Sequence, residues 1–220
     1  MRYNSKEEWG IIMTRIIFIR HGESLANAKH IYLGHTDWDL SELGYEQAQR
    51  AAELLCKVKI DKIYSSDLIR AYNTALPHAK RRGIDVIKCE RLREVYLGDW
   101  ECREVARLGE EYPEEFLIGW HKNFGTCKVP GGESIPELAE RIYCATVDIA
   151  RDNEGKTLLF GCHAAAIRAF WGKVTGTKPE DVCENIPFPK NASFTVVDFD
   201  GEKLIPVIYG AEDPSQFLHV

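Results

Sequence analysis

The sequence has no apolar run that approaches the ~18–20 residues a helix needs to cross a bilayer. It also lacks the apolar core and small-residue cleavage site of a secretory signal, because Lys6, Glu7 and Glu8 precede only a short apolar stretch. These absences predict a cytoplasmic protein without a membrane partner. A chain of 220 residues, 45% of them hydrophobic, is long enough for a full core, and we expect residues 1–220 to form one domain.

An excess of positive charge is also missing. The chain has 28 Lys and Arg against 34 Asp and Glu, for a formal net charge of −6. This balance argues against general binding to nucleic acid or to an anionic membrane. It does not argue against binding a small phosphorylated metabolite, because local arginines decide that interaction.

No C-x-x-C pair occurs among the cysteines, which are scattered along the chain. Their spacing favours neither a metal site nor a disulfide framework, and an odd count fits reduced thiols in the cytoplasm. The seven residues are Cys56, Cys89, Cys102, Cys127, Cys144, Cys162 and Cys183.

The stretch on which the chain is organised is residues 14–27, T-R-I-I-F-I-R-H-G-E-S-L-A-N. Its apolar run, residues 16–19, is typical of a strand buried on both faces of a parallel sheet. Arg20, His21 and Gly22 follow at once, so they should emerge at the carboxyl edge, where open α/β folds bind ligands. Arginine binds phosphate, histidine can act as a nucleophile, and glycine would let the backbone approach a ligand.

The rest of the chain alternates between strand and helix patterns. That alternation predicts an α/β fold, a three-layer α/β/α sandwich whose sheet is mostly parallel. The Asp200-Gly201 turn signal predicts an antiparallel hairpin at one edge. Predicted strands are 16–19, 61–66, 84–88, 156–162, 193–199 and 204–209, and predicted helices are 41–58, 67–82, 134–152 and 164–174. Ser66-Asp67 should cap the second of these helices, and Ser134 with Glu137 should form a capping box on the third.

Two segments stand outside this alternation. Residues 1–13 precede the first strand and are expected to be an N-terminal extension. Residues 91–133, rich in aromatics with a predicted helical pair, are expected to be a cap insertion over the carboxyl edge of the sheet. Four of its side chains could form a pocket wall or a packed cap core: Tyr96, Trp100, Trp120 and His121.

Four separated pieces of sequence carry a family resemblance. They are R-H-G-E-S-x-x-N at residues 20–27, S-S-D-L-x-R-A-x-x-T-A at 65–75, L-R-E-V-Y-L-G-D-W-E at 92–101 and G-C-H-A-A-A-I-R at 161–168. Together they closely resemble the histidine phosphatase superfamily. More narrowly, they resemble the phosphoglycerate mutase-like branch, with its phosphatase relatives such as α-ribazole phosphatase and broad-specificity phosphatases.

The resemblance implies a role for several residues. His21 would be the histidine that becomes phosphorylated, and His163 would donate a hydrogen bond to the phosphoryl group. Arg20 and Arg70 would clamp the phosphoryl oxygens, which carry charge through the transition state.

Glu94 would protonate the leaving alcohol and later deprotonate water, with Asp99 and Glu101 as nearby alternatives. Asn27 would donate its amide to a phosphate oxygen, and the N–H of Ala164 could also bind phosphate. The family more often has His-Gly-Gly where this chain has His163-Ala164-Ala165, and the Cβ of Ala164 crowds a close approach.

The resulting functional hypothesis is hydrolysis of a small-molecule phosphomonoester through a phosphohistidine, without a metal or another cofactor. One alternative is a phosphoglycerate mutase, which would need 2,3-bisphosphoglycerate as a primer. The short and mostly acidic or aromatic segment after Glu94 favours the phosphatase. Another alternative is an inactive phosphate-binding module. A homodimer is possible for any of these.

Overall fold

The computed structural model describes residues 12–217, and residues 1–11 of the predicted N-terminal extension lie outside this range. No helix within the described range is long and apolar enough to cross a membrane. The strands are β1 (Thr14–Arg20), β2 (Lys62–Ser65), β3 (Val86–Lys88), β4 (Thr157–Cys162), β5 (Phe194–Phe199) and β6 (Leu204–Ala211). The α-helices are α1 (Leu25–Ala28), α2 (Glu42–Leu54), α3 (Ile69–Arg82), α4 (Val105–Glu111), α5 (Ile135–Arg151), α6 (Ala164–Thr175) and α7 (Val182–Asn185).

The strands form a six-stranded sheet in the order β3-β2-β4-β1-β5-β6. Pairing is parallel from β3 to β1 and antiparallel from β1 through β5 to β6. The predicted α/β fold with one antiparallel edge is therefore confirmed. β1 is one of the two central strands of the sheet, and it pairs with β4 on one side and with β5 on the other.

Alternate residues of β1 face two separate halves of the core, as expected when successive side chains point to opposite faces of a strand. Ile16 and Phe18 pack in the half that contains residues of α5 and α6. Ile17 and Ile19 pack in the half that contains residues of α2 and α3. All four are fully buried. Helices thus cover both faces of the sheet, which explains why residues 16–19 of β1 are all apolar.

The segment predicted as a cap, residues 91–133, contains α4 and a π-helix, Pro113–Trp120, where a helical pair was expected. Trp100 is fully buried at its centre and makes edge-to-face contacts with Phe116 and Trp120, at ring-centroid distances of 5.4 and 5.8 Å. Such contacts are favourable arrangements of aromatic rings. That this segment is an insertion, and that residues 1–220 form one domain, remain predictions.

Helix starts give one confirmed and one wrong prediction. Ser134 and Glu137 form the expected capping box of α5. The Ser66-Asp67 cap of α3 is wrong, since the N-cap residue is Leu68 and makes no side-chain capping bond. The N–H of Ile69 instead donates to Asp37, 32 residues earlier. Asp67 does not cap the helix, because its carboxylate forms a salt bridge with Arg93.

A buried histidine in α3 links stability to pH. His78 is fully buried, and neither ring nitrogen has a partner among the described residues. Burial, followed by the charges of Arg82 and Arg81, lowers the pKa of His78 from 6.5 to about 3. Between these two values the unfolded chain binds a proton that the folded chain does not, so stability falls as the pH falls through this window.

We expect His78 alone to reduce the free energy of unfolding by about 2 kcal/mol between pH 7 and pH 5, because one unbalanced proton contributes about 1.4 kcal/mol per pH unit. Urea denaturation of the wild type and His78→Leu at both pH values measures this term. The variant has no imidazole here, so its loss on acidification should be smaller by that amount. Equal losses in the two proteins would contradict the prediction.

Candidate active site

Two histidines meet where neighbouring parallel strands end. β1 and β4 are in register at Arg20 and Cys162, so the next residues, His21 and His163, emerge side by side. The N–H of His21 donates to the carbonyl of Cys162 at 3.0 Å. The two rings lie edge to face with centroids 5.3 Å apart. The carboxyl edge of the sheet thus brings together residues that are 142 positions apart in the sequence.

The His21 ring is held as a neutral base. Its Nδ1 lies 2.6 Å from the carbonyl oxygen of Gly22. A carbonyl can only accept, so Nδ1 carries the hydrogen and the lone pair is on Nε2. Burial, then the charges of Arg70 and Arg20, hold the pKa of His21 well below 6.5. The ring therefore offers an unprotonated nitrogen at neutral pH.

His163 is fully buried, and both its ring nitrogens are without a partner among the described residues. Burial, then the charge of Arg70, lowers the pKa of His163 well below 6.5. Buried polar atoms in proteins are nearly always hydrogen-bonded. A neutral ring with one unpaired N–H beside His21 is therefore suited to donate a hydrogen bond to a ligand.

Two arginines bring positive charge to the same place. Arg20 donates from Nη1 to the carbonyl of Pro189 at 2.6 Å, while its Nε is buried without a partner. Arg70, 1% exposed in the first turn of α3, donates to the carbonyls of Thr36 at 3.0 Å and Gly34 at 2.7 Å. Burial lowers the pKa of both guanidiniums. Within residues 12–217 neither forms a salt bridge with a carboxylate. The pair therefore leaves two charges, one buried at Arg70 and one partly buried at Arg20, for an anion to neutralise.

The loop that holds Arg70 is itself held by Glu101. The Glu101 carboxylate accepts hydrogen bonds from the backbone N–H of His35 at 2.7 Å and from the hydroxyl of Thr36 at 2.6 Å, among others. Burial acts to raise the pKa of Glu101, but these bonds lower it overall. Its oxygens are thus occupied by the loop, and Glu101 is not among the residues that line the cavity described below, whereas Glu94 is.

The side chain of Glu94 reaches the start of α6, and the residue is 7% exposed. Its Oε1 accepts from the N–H of Val95 at 3.0 Å and of Ala166 at 2.9 Å, while Oε2 accepts only from Ala165, at 3.0 Å. A helix N-terminus presents free N–H groups of this kind to an anion. Oε2 makes one bond, so it is the oxygen with more capacity for a further hydrogen bond.

Arg141 of α5 fixes the backbone at Glu94. Its guanidinium donates to the carbonyl of Glu94 at 3.0 Å and makes a two-point salt bridge to Glu133. Sequence reasoning missed this residue. An arginine in the middle of a helix gives no signal that distinguishes a buried anchor from a solvated charge.

The oxygen of the Asn27 side chain has a structural role, and its NH₂ group is left for other contacts. Its Oδ1 accepts from the N–H of Ser24, and the hydroxyl of Ser24 accepts from the N–H of Asn27, both at 3.1 Å. This reciprocal capping box starts α1. Because the oxygen is used, the amide NH₂ is the part of Asn27 that can donate to a ligand.

Gly22 is required for packing, which differs from the expected role of admitting a ligand. A Cβ at Gly22 would lie 2.4 Å from the carbonyl oxygen of Gly44 in α2. A Cβ at Gly44 would in turn lie 2.0 Å from the carbonyl oxygen of Glu23. The two glycines let α2 approach the turn after β1, and this contact sets the position of His21.

A cavity of about 270 Å³ opens over these groups. Six of the seven predicted site residues line it: Arg20, His21, Asn27, Arg70, Glu94 and Ala164. The seventh, His163, lies against His21. Whether each residue has its predicted role remains a prediction.

Much of the remaining cavity wall is apolar. Tyr32, Val105 and Phe188 line it and were not identified from the sequence. Of the four aromatic side chains considered for a pocket wall, Trp120 lines the cavity, whereas Trp100 is buried in the core and Tyr96 is exposed. Within residues 12–217 no group of three or more His, Cys, Asp or Glu side chains is arranged to hold a metal ion.

Comparison with known proteins gives consistent matches. The sequence profile described as the histidine phosphatase superfamily (branch 1) matches residues 16–211. Phosphoserine phosphatase 1 of Hydrogenobacter thermophilus is 32% identical over 189 residues, covering 86% of this chain and 88% of that protein. Phosphoglycerate mutase-like protein 4 of Arabidopsis thaliana is 32% identical over 215 residues, covering 95% and 89%. The structure of a mycobacterial glucosyl-3-phosphoglycerate phosphatase superposes with a TM-score of 0.82 at 28% identity, covering 91% of this chain and 100% of that one.

Proposed function

This chain is an enzyme that belongs to the histidine phosphatase superfamily, branch 1, and on that premise we propose that it hydrolyses a small-molecule phosphomonoester through a phosphohistidine at His21. The observation that carries the proposal is a pair of guanidiniums beside a neutral imidazole, the buried Arg70 and the partly buried Arg20, which form no salt bridge with a carboxylate among the described residues. A dianionic phosphoryl group supplies the missing negative charge.

The substrate phosphate binds between Arg20 and Arg70, which neutralise its oxygens. The unpaired N–H of His163 and the amide of Asn27 donate further hydrogen bonds. The backbone N–H of Ala164, the first residue of α6, supports the same oxygens. No metal ion is part of the proposed reaction, because the two arginines carry the required positive charge.

In the first step the lone pair on Nε2 of His21 forms a bond to phosphorus while the bond from phosphorus to the ester oxygen breaks. The leaving oxygen takes a proton from Glu94, in its protonated form, and departs as an alcohol. The tautomer set by the Gly22 carbonyl leaves Nε2 free for this attack. The intermediate is a phosphohistidine, which divides one difficult transfer into two easier ones.

In the second step water attacks phosphorus, and the Glu94 carboxylate takes its proton. The bond from Nε2 to phosphorus breaks, which returns the electron pair to His21 and releases inorganic phosphate. Glu94 ends the cycle protonated and ready for the next substrate.

The described cysteines are all free thiols, which is compatible with the proposed location in the cytoplasm.

The second candidate is a phosphoglycerate mutase, which the names of some relatives favour. The first step would be the same, but the phosphoryl group would return to a bound phosphoglycerate in place of water. An enzyme of that kind would need 2,3-bisphosphoglycerate as a primer.

A single assay separates the two functions. Purified protein receives 3-phosphoglycerate with trace 2,3-bisphosphoglycerate, and separately a panel of phosphomonoesters, while free phosphate and 2-phosphoglycerate are followed in parallel. We expect phosphate release from the panel. Rapid formation of 2-phosphoglycerate with little free phosphate would identify a mutase, and binding without turnover would identify an inactive phosphate-binding module.

A further inference from the structure

The cavity has two chemically different parts. One part holds both arginines, His21 and Glu94. The other part is mostly apolar and is formed chiefly by Tyr32, Leu33, Val105, Trp120 and Phe188, with the exposed residue His30 also in the lining. Burial raises the pKa of Tyr32 to about 12, so its phenol is uncharged at neutral pH. Once a phosphate occupies the first part, the rest of the substrate must face the second.

No lysine, and no arginine besides Arg20 and Arg70, lines the cavity within the described residues. Arg168 lies near the apolar part, but its guanidinium donates to the carbonyl of Ile186 at 2.6 Å and stacks over Phe188 at 4.3 Å. Two further arginines nearby also have partners. Arg103, which precedes α4, forms a salt bridge with Glu111, and Arg107 of α4 forms one with Glu104. Beyond the two arginines that would hold the phosphate, a carboxylate on the substrate would therefore meet no lysine or arginine.

The apolar wall is already assembled in the structure. Phe188 stacks on Trp120 with ring centroids 6.2 Å apart, and Trp120 meets Tyr32 edge to face at 5.9 Å. Arg168 anchors this wall, because its guanidinium also lies 4.4 Å from the ring of Phe124. A wall that is already in place binds apolar surface without an ordering cost.

From these observations we propose that the preferred substrates are phosphomonoesters of uncharged, apolar or aromatic alcohols, and that esters whose alcohol carries a carboxylate are disfavoured. This inference rests on the proposed phosphatase function. Apolar groups gain free energy when they leave water for such a wall, whereas a carboxylate loses its hydration and gains no lysine or arginine partner there. The selectivity would thus differ from that of relatives named for phosphoserine or phosphoglycerate.

Benzyl phosphate and 4-carboxybenzyl phosphate test the inference, because they differ only by a carboxylate and have similar leaving alcohols. We expect kcat/KM to be at least about tenfold higher for benzyl phosphate than for its carboxylated analogue, and about tenfold or more higher than for ethyl phosphate. Hydrolysis of the carboxylated ester at an equal or higher kcat/KM would overturn the inference and leave the phosphatase proposal intact.

A charge placed in the wall should largely remove the preference. Val105→Arg adds a cation to the lining, and Ala106→Arg adds the same cation to the next, exposed position of α4, which does not line the cavity. We expect Val105→Arg to shift the benzyl to carboxybenzyl ratio about tenfold towards the carboxylate, a change of about 1.4 kcal/mol. The ratio should stay within about twofold of wild type in Ala106→Arg, because a solvated charge interacts weakly. Equal shifts in both variants would contradict a wall-specific effect.

Binding measurements keep the inference testable if no ester is turned over. Benzylphosphonate and 4-carboxybenzylphosphonate cannot be hydrolysed, and calorimetry gives their Kd values. Tighter binding of benzylphosphonate by about tenfold supports the inference even where hydrolysis fails, and in that case only the phosphatase proposal is lost. Equal affinities, or tighter binding of the carboxylated compound, would overturn the inference directly.

Discussion

Replacing His21 with asparagine should lower phosphate release by about 10⁴-fold or more, because loss of a nucleophile removes the covalent route altogether. Asparagine retains an amide that can donate to the Gly22 carbonyl, as Nδ1 of His21 does. The backbone of the turn should therefore keep its conformation. The variant should also bind phosphate, since both arginines and His163 remain.

Two measurements check this prediction. Steady-state phosphate release gives the rate, and mass spectrometry of rapidly quenched protein detects a phosphoryl group that is stable in alkali and labile in acid. The matched control is His121→Asn, an exposed histidine outside the cavity lining, which should keep wild-type activity within about twofold. A His21→Asn variant that still became phosphorylated would place the nucleophile elsewhere.

The sheet and its ligand edge could be predicted from sequence because β1 and β4 are apolar runs that end in polar residues. A strand buried on both faces has few alternative positions in a fold, and the residues after it emerge at a known edge. That reasoning places His21 and His163 near each other without any coordinate. It cannot predict the tautomer of His21, because the tautomer is set by the backbone carbonyl of Gly22 and every residue type has such a carbonyl.

Contacts with backbone groups also explain why the positions of the arginines and carboxylates were only partly predictable. Arg70 is held by the carbonyls of Gly34 and Thr36, which any residue could provide. Glu94 and Glu101 are the same residue type seven positions apart, and both accept backbone N–H groups. Only the tertiary structure shows that Glu94 reaches the cavity whereas Glu101 fixes the loop under Arg70.

The wall of the cavity was the least predictable part. Tyr32 and Phe188 are 156 positions apart and belong to loops, where no periodicity indicates which side chains face inward. The π-helix between Pro113 and Trp120 follows from packing, since its own sequence also fits an α-helix. Trp120 reaches the cavity because Trp100 and Phe116 fill the core behind it.

Glu94→Gln should separate the two chemical steps. With benzyl phosphate, whose alcohol must be protonated to leave, we expect turnover to fall by about 10²–10⁴-fold, because the amide cannot supply a proton. With 4-nitrophenyl phosphate the leaving group needs no proton, so the first step should stay fast while attack by water slows. A burst of nitrophenolate close to one equivalent per enzyme should then precede a slow steady rate.

The burst distinguishes lost proton transfer from lost structure. Glutamine keeps an oxygen for the N–H groups of Val95 and Ala166 but turns an NH₂ towards the N–H of Ala165, so a small displacement at α6 is expected. A displaced helix would slow both esters alike and give no burst. Glu110→Gln, on the exposed side of α4, is the matched control and should behave as wild type. Equal losses on both esters without a burst would remove Glu94 from proton transfer and leave it a positioning residue for the phosphate-binding end of α6.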